Sequence, residues 1–372
     1  MKRLNPRRAW SIALKEFKHI LRDPFTLAMA LGMPVILLIF FGFIIDFNYR
    51  DIKILVEDRD RSRASRELAE TFSASGYFRV LPRPPGANPA KYLDSDKAFG
   101  ALVIERDFGK RAAMGLPARA QLLVDGADNS KTGVVMSYLS GVVRSAAGKI
   151  SGAKPREGVE IKTRFLFNPE LNSRWFIIPG LSVIIIGLVA VLLTALTVAR
   201  EWENGSMELL LSTPARPGEI IAGKLAPYTL LGFGAVAIVY AAARLVFGIP
   251  FLGSMAVYAV SCVVFVTVAL AQGLLISVVT REQRLAMQFS IVSGLLPSLL
   301  LSGFIFPIES MNAFFRYFTF ILPPRWFMWI SRGIFLRGAG IMDILPSFAM
   351  LSLLGLILIT LAVKRFKSDL EP

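Results

Sequence analysis

Long apolar runs alternate with shorter polar segments along most of this chain, and one long polar segment follows the first run. Six runs are long enough to cross a hydrocarbon core, which takes about 20 residues of helix. They cover residues 25–45, 175–199, 225–247, 255–279, 285–306 and 344–363. This pattern predicts a polytopic α-helical membrane protein with six transmembrane helices.

The residues before the first run have a different periodicity. Trp10, Phe17 and their apolar neighbours recur at helical spacing, while basic residues such as Arg22 lie mostly on the other face. A basic face opposite an aromatic and apolar face is typical of a helix in the membrane interface. A soluble helix that packs on a core has the same periodicity, but the apolar run that follows at once favours the interface. We predict a cytoplasmic amphipathic interface helix over residues 1–23 and the first transmembrane helix over residues 24–46.

Residues 47–174 are frequently charged and contain several loop-forming prolines. Short apolar segments predict buried strands over residues 52–56, 101–104 and 120–124, and helical periodicity is seen over residues 65–72 and 130–143. This alternation predicts an inserted extracytoplasmic α/β domain. The acidic loop at residues 125–129 does not fit a calcium-binding EF-hand, because Ala127 occupies the third position. No metal site is predicted.

The composition supports a membrane protein with a basic surface. Hydrophobic residues make up 54% of the 372 residues, and the net charge is +15. Much of the basic charge flanks apolar runs, which suits anionic membrane lipid better than nucleic acid. The single cysteine, Cys262, excludes an internal disulfide and a cysteine-based metal cluster. The long basic stretch before the first run, without a small-residue cleavage site after it, argues against a cleavable signal peptide.

The segment over residues 307–343 is rich in aromatic side chains but is a poor candidate for a seventh span. Pro323 and Pro324 interrupt it, and Arg325, beside Trp326, adds charge. Six spans place the basic clusters at both ends of the chain on one side, as the positive-inside rule requires of the cytoplasmic side. We therefore predict a broken, re-entrant pair of helices at the outer face, and both termini in the cytoplasm.

An acidic stretch over residues 200–214 separates the second span from the third. Its carboxylates are Glu201, Glu203 and Glu208. Asn204 and Gly205 are expected to end the incoming helix, because both tolerate the left-handed conformation. Ser206 is expected to cap a new short helix, which Pro214 closes. The stretch is either a solvated loop or a docking element for a partner.

One apparent phosphate-binding motif is rejected. Residues 218–224 match G-x-x-x-x-G-K, but Leu225 follows where a phosphate loop needs Ser or Thr for Mg²⁺. The preceding segment is the short acidic helix rather than a strand. We therefore expect no ATP hydrolysis on this chain, and no catalytic residue is assigned.

Short motifs recur in a fixed order along the whole chain. Before the first two spans stand Lys15-Glu16, Arg22-Asp23-Pro24, Asn168-Pro169 and Trp175-Phe176. Between the second and third spans stand Arg200-Glu201, Glu203, Gly205-Ser206-Met207-Glu208, Leu210, Ser212-Thr213-Pro214 and Gly223-Lys224. Further on follow Leu301-Ser302-Gly303, Pro307, Ser310-Met311, Pro323-Pro324-Arg325-Trp326-Phe327 and Arg332-Gly333. With its motifs in this order, the chain resembles the permease subunits of ABC type-2 exporters. The resemblance is to the bacterial subgroup that has a large external domain after the first span.

The resemblance implies a fold and a set of partners. Two permeases pair as a homodimer or a heterodimer in the bacterial inner membrane, and each docks a separate ABC ATPase subunit that holds ATP and Mg²⁺. No cofactor is expected on this chain. A periplasmic adaptor is a further partner that the resemblance allows. The coupling helix of the family maps to residues 200–214, within a transmembrane domain over residues 175–372. The docking residues implied are Glu201, Glu203, Gly205, Ser206, Met207, Glu208, Leu210 and Leu211. Trp202 departs from the family pattern, which commonly has a polar residue there.

Three function classes are compared. The first is ATP-driven export of a drug-like, lipid or glycan substrate. The second is a non-transport membrane assembly component whose external domain is a binding module. A secondary transporter is disfavoured, because ionisable residues within the spans are scarce and Arg244 lies near a helix end, where its charge can reach the interface.

Overall fold

The computed structural model describes residues 5–44, 52–81, 98–124 and 172–368, together with separate residues between 136 and 150. The chain divides into two compact units. The first unit comprises Met1–Ile45 and Phe165–Pro372, and the second comprises Asp46–Arg164. The motif Asn168-Pro169 and the acidic loop at residues 125–129 lie outside the described residues.

The elements are numbered in chain order through both units. The helices are α1 (Pro6–Arg22), α2 (Pro24–Ile44), α3 (Arg63–Ala74), α4 (Phe108–Ala113), α5 (Ser173–Glu203), α6 (Ser206–Leu211), α7 (Pro217–Leu245), α8 (Met255–Thr280), α9 (Gln283–Ser290), α10 (Leu296–Leu300), α11 (Ala313–Phe318), α12 (Pro323–Arg332) and α13 (Ile341–Ser368). The strands are β1 (Ile52–Asp58), β2 (Phe78–Leu81), β3 (Gly100–Ile104) and β4 (Ala120–Val124).

Within the described residues, five helices are long and apolar enough to cross a membrane, namely α2, α5, α7, α8 and α13. Several extend beyond the apolar runs that predict them. The helix α5 continues to Glu203, and α7 begins at Pro217. A helix satisfies its own backbone hydrogen bonds, so it continues into polar surroundings until a breaking residue ends it.

The fifth apolar run, over residues 285–306, forms a shorter and interrupted helix. It consists of α9, a π-helical turn over Ile291–Leu295 and α10, which ends at Leu300. Pro297 lies in the first turn of α10, and a proline cannot donate the backbone hydrogen bond of a regular helix. The number of six transmembrane helices therefore stays a prediction.

The helix α5 lies at the centre of the first unit. It packs against α8, α2, α9 and α12. The hydroxyl of Thr194 in α5 donates to the carbonyl oxygen of Leu270 in α8 at 2.8 Å. The rings of Phe265 in α8 and Phe327 in α12 stack with their centroids 4.2 Å apart, which fixes α12 against the core. The two short helices α11 and α12 form the interrupted pair that the prolines predict.

The second unit contains a four-stranded sheet with strand order β2-β1-β3-β4. The strand β1 pairs in parallel with β2 and β3, and β4 is antiparallel to β3. The helix α3 connects β1 with β2, as a parallel pair requires. Phe72 of α3 and Phe78 of β2 are buried in the hydrophobic core. The sequence analysis missed β2, which is only four residues long.

Candidate functional site

The turn after α5 is formed by Asn204 and Gly205, as the sequence predicts. Asn204 is the C-terminal cap of α5, and Gly205 adopts a left-handed conformation with φ of 71°. A Cβ atom on Gly205 would meet no neighbouring atom within 4 Å. The glycine is therefore required by the backbone conformation and not by lack of space.

The role predicted for Ser206 as a helix cap is wrong. Gly205 occupies the N-cap position of α6, and Ser206 is the first helical residue. The hydroxyl of Ser206 donates instead to the carbonyl oxygen of Glu201 at 3.2 Å, which closes the turn onto α5. The left-handed glycine takes the cap position because the backbone leaves the helical conformation at that residue.

Two of the apolar side chains predicted to dock a partner, Met207 and Leu210, face the protein rather than solvent. Met207 is fully buried in the core of the first unit, and Leu210 is partly buried against it. Leu209, which the sequence analysis missed, is 73% exposed and lies beside the exposed carboxylate of Glu208. The side chain of Leu211 lies outside the described residues. Met207 therefore anchors α6 to its own chain, and Glu208 and Leu209 are exposed on the helix surface together with Ser206.

Glu201 faces the interior of the first unit. Its Oε2 atom accepts a hydrogen bond from Nζ of Lys224 in α7 at 2.5 Å. The same ammonium donates to Oε1 of Glu16 in α1 at 3.0 Å. The side chains of Lys224 and Glu16 are 2% and 1% exposed. We call Glu16, Lys224 and Glu201 the buried triad.

Glu203 lies on the opposite side of α5 and is exposed. It accepts a hydrogen bond from the backbone N–H of Gln283 at the start of α9 at 2.7 Å, and another from the side chain of Gln283. The guanidinium of Arg200 donates to the side-chain oxygen of Gln283 at 3.4 Å. These contacts connect the end of α5 to α9 across solvent-exposed surface.

Asp23, between α1 and α2, forms a second contact to the end of α5. Its Oδ2 atom lies 3.9 Å from Nη1 of Arg200. The Thr26 hydroxyl donates to Asp23, and this bond, assisted by the backbone N–H groups of Phe25 and Thr26 and by the charge of Arg200, holds the pKa of Asp23 below its ordinary value. Asp23 is therefore ionised at neutral pH and can pair with Arg200.

Trp202 packs within its own chain. The guanidinium of Arg281 lies 4.7 Å from the centroid of its ring, and the ring of Phe366 in α13 lies 6.2 Å away. The side chain is partly buried against the core. An aromatic residue at this position thus joins α5 to α13, which accounts for the departure from the family pattern.

The N-terminal end of α1 is held to the loop that follows α6 and to the first turn of α7. The backbone N–H of Asn5 donates to Glu219 at 2.7 Å, and the guanidinium of Arg8 donates to the carbonyl oxygen of Pro214 at 2.5 Å. Further along α1, Ile12 and Ile20 are buried on the same stripe as Glu16. The helix α1 therefore packs along α7 by one narrow face.

The other face of α1 is exposed and apolar. Trp10 is 71% exposed, and Leu14, Phe17 and Leu21 are also exposed. Arg22, the last residue of α1, is exposed as well. The aromatic residues that predict an interface helix are therefore on the surface of this chain, where a bilayer can reach them.

Arg325 closes the turn between α11 and α12. Its guanidinium lies over the ring of Phe320 at 4.0 Å and over the ring of Trp326 at 4.9 Å. It donates to the carbonyl oxygen of Arg316 and to the hydroxyl of Thr319. Pro323 and Pro324 are the first two residues of α12, where a proline is tolerated because the first N–H groups of a helix have no partner within it.

Residues 218–224, which match the phosphate-loop pattern, are part of the first turns of α7. A phosphate loop needs free backbone N–H groups before a helix, and here the backbone is already helical. Among the residues that the structure describes, no cluster of His, Cys, Asp and Glu side chains is arranged to hold a metal ion.

Comparison with known proteins gives one consistent result. The profile of the family described as "ABC-2 family transporter protein" matches residues 24–364. The chain is 33% identical over 339 residues to the probable multidrug ABC transporter permease YbhS of Escherichia coli, with 90% of each chain covered. It is 29% identical to the probable multidrug ABC transporter permease YbhR of the same organism, with 90% of this chain and 91% of the relative covered. Similarity extends to ABC transporter G family member 20 of Dictyostelium discoideum, at 22% identity over 89% of this chain and 46% of that protein.

Proposed function

Because this chain belongs to the ABC-2 family of transporter proteins, we propose that it is the membrane-spanning permease subunit of an ATP-driven exporter in the bacterial inner membrane. Two related permeases in Escherichia coli carry the name of multidrug transporters, which supports a drug-like substrate. A lipid or a glycan is the next alternative. ATP and Mg²⁺ would be held by a separate ATPase subunit, and a second permease would complete the transporter.

The observation that carries this proposal is the short helix α6 at the end of α5. Met207 anchors it from inside, and its exposed surface presents Glu208 and Leu209. An acidic side chain beside an exposed leucine suits a basic partner surface with an apolar groove. A cytoplasmic loop that only followed the positive-inside rule would be basic. Docking of an ATPase accounts for both the acidic charge and the exposed leucine.

The proposed topology places both termini and α6 in the cytoplasm, and the second unit outside. The pair α11 and α12 would then lie at the outer face as a re-entrant segment. The exposed aromatic face of α1 would lie in the inner interface, where its basic residues meet anionic lipid headgroups.

The first experiment tests whether the permease binds an ATPase. Purification of tagged permease from its native membrane in mild detergent is expected to recover a second subunit with vanadate-sensitive ATPase activity. Gly205→Val should reduce the recovered activity per permease about tenfold, because a β-branched residue in the left-handed region costs about 1–3 kcal/mol. Gly205→Asn is the matched control, since Asn tolerates that region.

The second experiment addresses transport. Cells that lack other efflux pumps are loaded with ethidium, and its efflux is followed with and without this permease. Efflux that requires both the permease and the ATPase supports drug export. An associated ATPase without ethidium efflux favours a lipid or glycan substrate. A permease that recovers no ATPase contradicts the proposal and favours an assembly component with an external binding module.

A further inference from the structure

Lys224, which the proposed function leaves without a role, connects three helices. Its ammonium donates to Glu16 of α1 at 3.0 Å and to Glu201 of α5 at 2.5 Å. The partners are 208 and 23 residues away in the sequence. Each helix contributes one charged group to the buried triad, and two of the three groups are almost completely removed from solvent.

The burial of these charges restricts movement of the three helices. A charged group leaves water only at a high cost in free energy, which is offset when it is paired at hydrogen-bond distance. One ammonium that serves two carboxylates requires both at fixed positions. Displacement of α5 relative to α1 or α7 would leave a buried charge without its partner.

Close backbone contact reinforces the connection between α1 and α7. A Cβ atom on Gly223 would lie 2.7 Å from Cβ of Ile12 and 2.8 Å from the carbonyl oxygen of Ala9. The two helices therefore touch beside Lys224. The contacts of Asn5 with Glu219 and of Arg8 with Pro214 hold the preceding turn of α1 to the start of α7 and the loop before it.

The contact of α5 with α9 contains no charge pair among the described residues, and its buried part consists of Ala195 and Ala199 of α5 packed on Ala286 of α9. Glu203 and Gln283 meet at the surface, where their hydrogen bonds are exposed. Water can replace an exposed hydrogen bond at little cost, because the polar groups remain solvated when the bond breaks. The end of α5 is therefore held toward α1 and α7 by buried charges, and toward α9 by small alanine side chains and exposed hydrogen bonds, which cost less free energy to separate.

The buried triad lies next to the helix that is expected to move. Glu201 precedes Gly205 by four residues, which is about one helical turn. A force on α6 reaches the rest of the chain through this last turn of α5, as well as through Met207 and the loop that leads to α7. We expect the side of that turn with Glu201 to transmit displacement and the side with Glu203 to yield to it.

We propose that Lys224 is a positioning residue that makes α1, α7 and the end of α5 move with α6 as one body, while the contact between Glu203 and Gln283 opens. The inference rests on the proposed function, because it assumes an ATPase that acts on α6. The movement then has a defined direction. The distance from α6 to α1 is constant through the ATP cycle, and the distance from α6 to α9 changes.

The direction can be measured with two pairs of spin labels. Cys262→Ser removes the native cysteine, and exposed positions are replaced by cysteine as the pairs Ser11 with Ser212 and Ser212 with Arg284. Labelled permease is diluted with unlabelled permease so that distances between protomers do not contribute. Distances are recorded by pulsed electron resonance in the complex with the ATPase, without nucleotide and after trapping with ADP and vanadate. We expect the first distance to stay constant and the second to shift.

Variants separate positioning from folding. Lys224→Met leaves the buried carboxylate of Glu16 without its hydrogen-bond donor, so it is expected to lower the amount of permease in the membrane. Lys224→Met with Glu16→Gln removes that buried charge and should restore the amount. The distance between positions 11 and 212 should nevertheless become dependent on nucleotide in the double variant. Lys15→Met is the matched control, because Lys15 lies 3.8 Å from the same Glu16 oxygen but is exposed, and it should behave as the wild type does.

Three results would overturn the inference. The first is a distance between positions 11 and 212 that changes with nucleotide when Lys224 and Glu16 are present. The second is a distance between these positions that stays constant in the double variant. The third is a distance between positions 212 and 284 that does not change with nucleotide. Each can occur while the ATPase is bound, which distinguishes them from failure of the proposed function. If the wild-type permease recovers no ATPase, the proposed function fails, and this inference fails with it.

Discussion

Gly223 lies where α1 crosses α7, and the absence of a side chain there allows the two helices to touch. The backbone of Ala9 and the side chain of Ile12 occupy the space that a Cβ atom would need. Lys224 follows directly and is paired with Glu16 from the same crossing. Gly223 and Lys224, which match the end of the phosphate-loop pattern, therefore join α1 to α7.

Gly223→Ala is expected to destabilise the first unit by about 1–3 kcal/mol, the usual cost of extra volume in a well-packed core. Thermal unfolding of the purified permease in detergent measures the change. Gly234→Ala is the matched control, because the nearest atom to a Cβ there belongs to Leu31 at 3.7 Å, an ordinary contact distance. Equal melting temperatures for the two variants would show that α1 is not packed against α7 in this way.

At the scale of single elements, α1 has two apolar faces with different roles. The narrow face with Ile12 and Ile20 packs on α7, and the wider face with Trp10 and Phe17 is exposed. Helical periodicity reveals that a helix is amphipathic, but it does not say whether protein or lipid covers a given residue. Ile20 is one of the apolar residues that follow Phe17 at helical spacing, yet it is buried in the protein.

Replacing Trp10 and Phe17 together with Asp should remove α1 from the membrane interface, because each buried aromatic side chain contributes on the order of 2 kcal/mol. A spin label at Leu14, introduced as cysteine after Cys262→Ser, reports the change. In the parent protein we expect the spin label to be accessible to oxygen, which partitions into lipid. In the double variant we expect it to be accessible to a water-soluble nickel complex.

The control for this prediction is Ser11→Asp, which adds a charge to an exposed polar position of the same helix. It should leave the accessibility of the label unchanged. A label that is equally accessible to the nickel complex in the parent protein would mean that α1 lies in water.

At the scale of the whole molecule, the proposed topology predicts which surfaces a membrane-impermeant maleimide can reach. Glu105→Cys in the second unit should be labelled in cells with a permeabilised outer membrane, after Cys262→Ser. Lys364→Cys near the end of α13 should be labelled only after lysis, because the positive-inside rule places this basic end in the cytoplasm. Labelling at position 364 before lysis, without labelling at position 105, would invert the topology.

The sequence by itself determined those features that depend on neighbours along the chain. Five of the six predicted apolar runs correspond to helices long enough to cross a membrane. A chain in lipid must form its backbone hydrogen bonds internally and present apolar side chains to lipid, so a long apolar run predicts a helix. The turn at Asn204 and Gly205 followed from the local preference of these residues for the left-handed conformation. The interruption at Pro323 followed from the missing N–H group of proline.

Only the tertiary structure decided which charged and apolar groups of α5, α6 and α7 face inward. Glu201 and Glu203 look equivalent in the sequence, but Glu201 meets a buried ammonium and Glu203 meets an exposed amide. Met207 was expected on the surface of α6, where Leu209 lies instead. Periodicity defines a face of a helix but not its neighbour, since contacts between residues far apart in the chain leave no local pattern. The pairing of Lys224 with Glu16, 208 residues away, exists because the fold places α1 against α7.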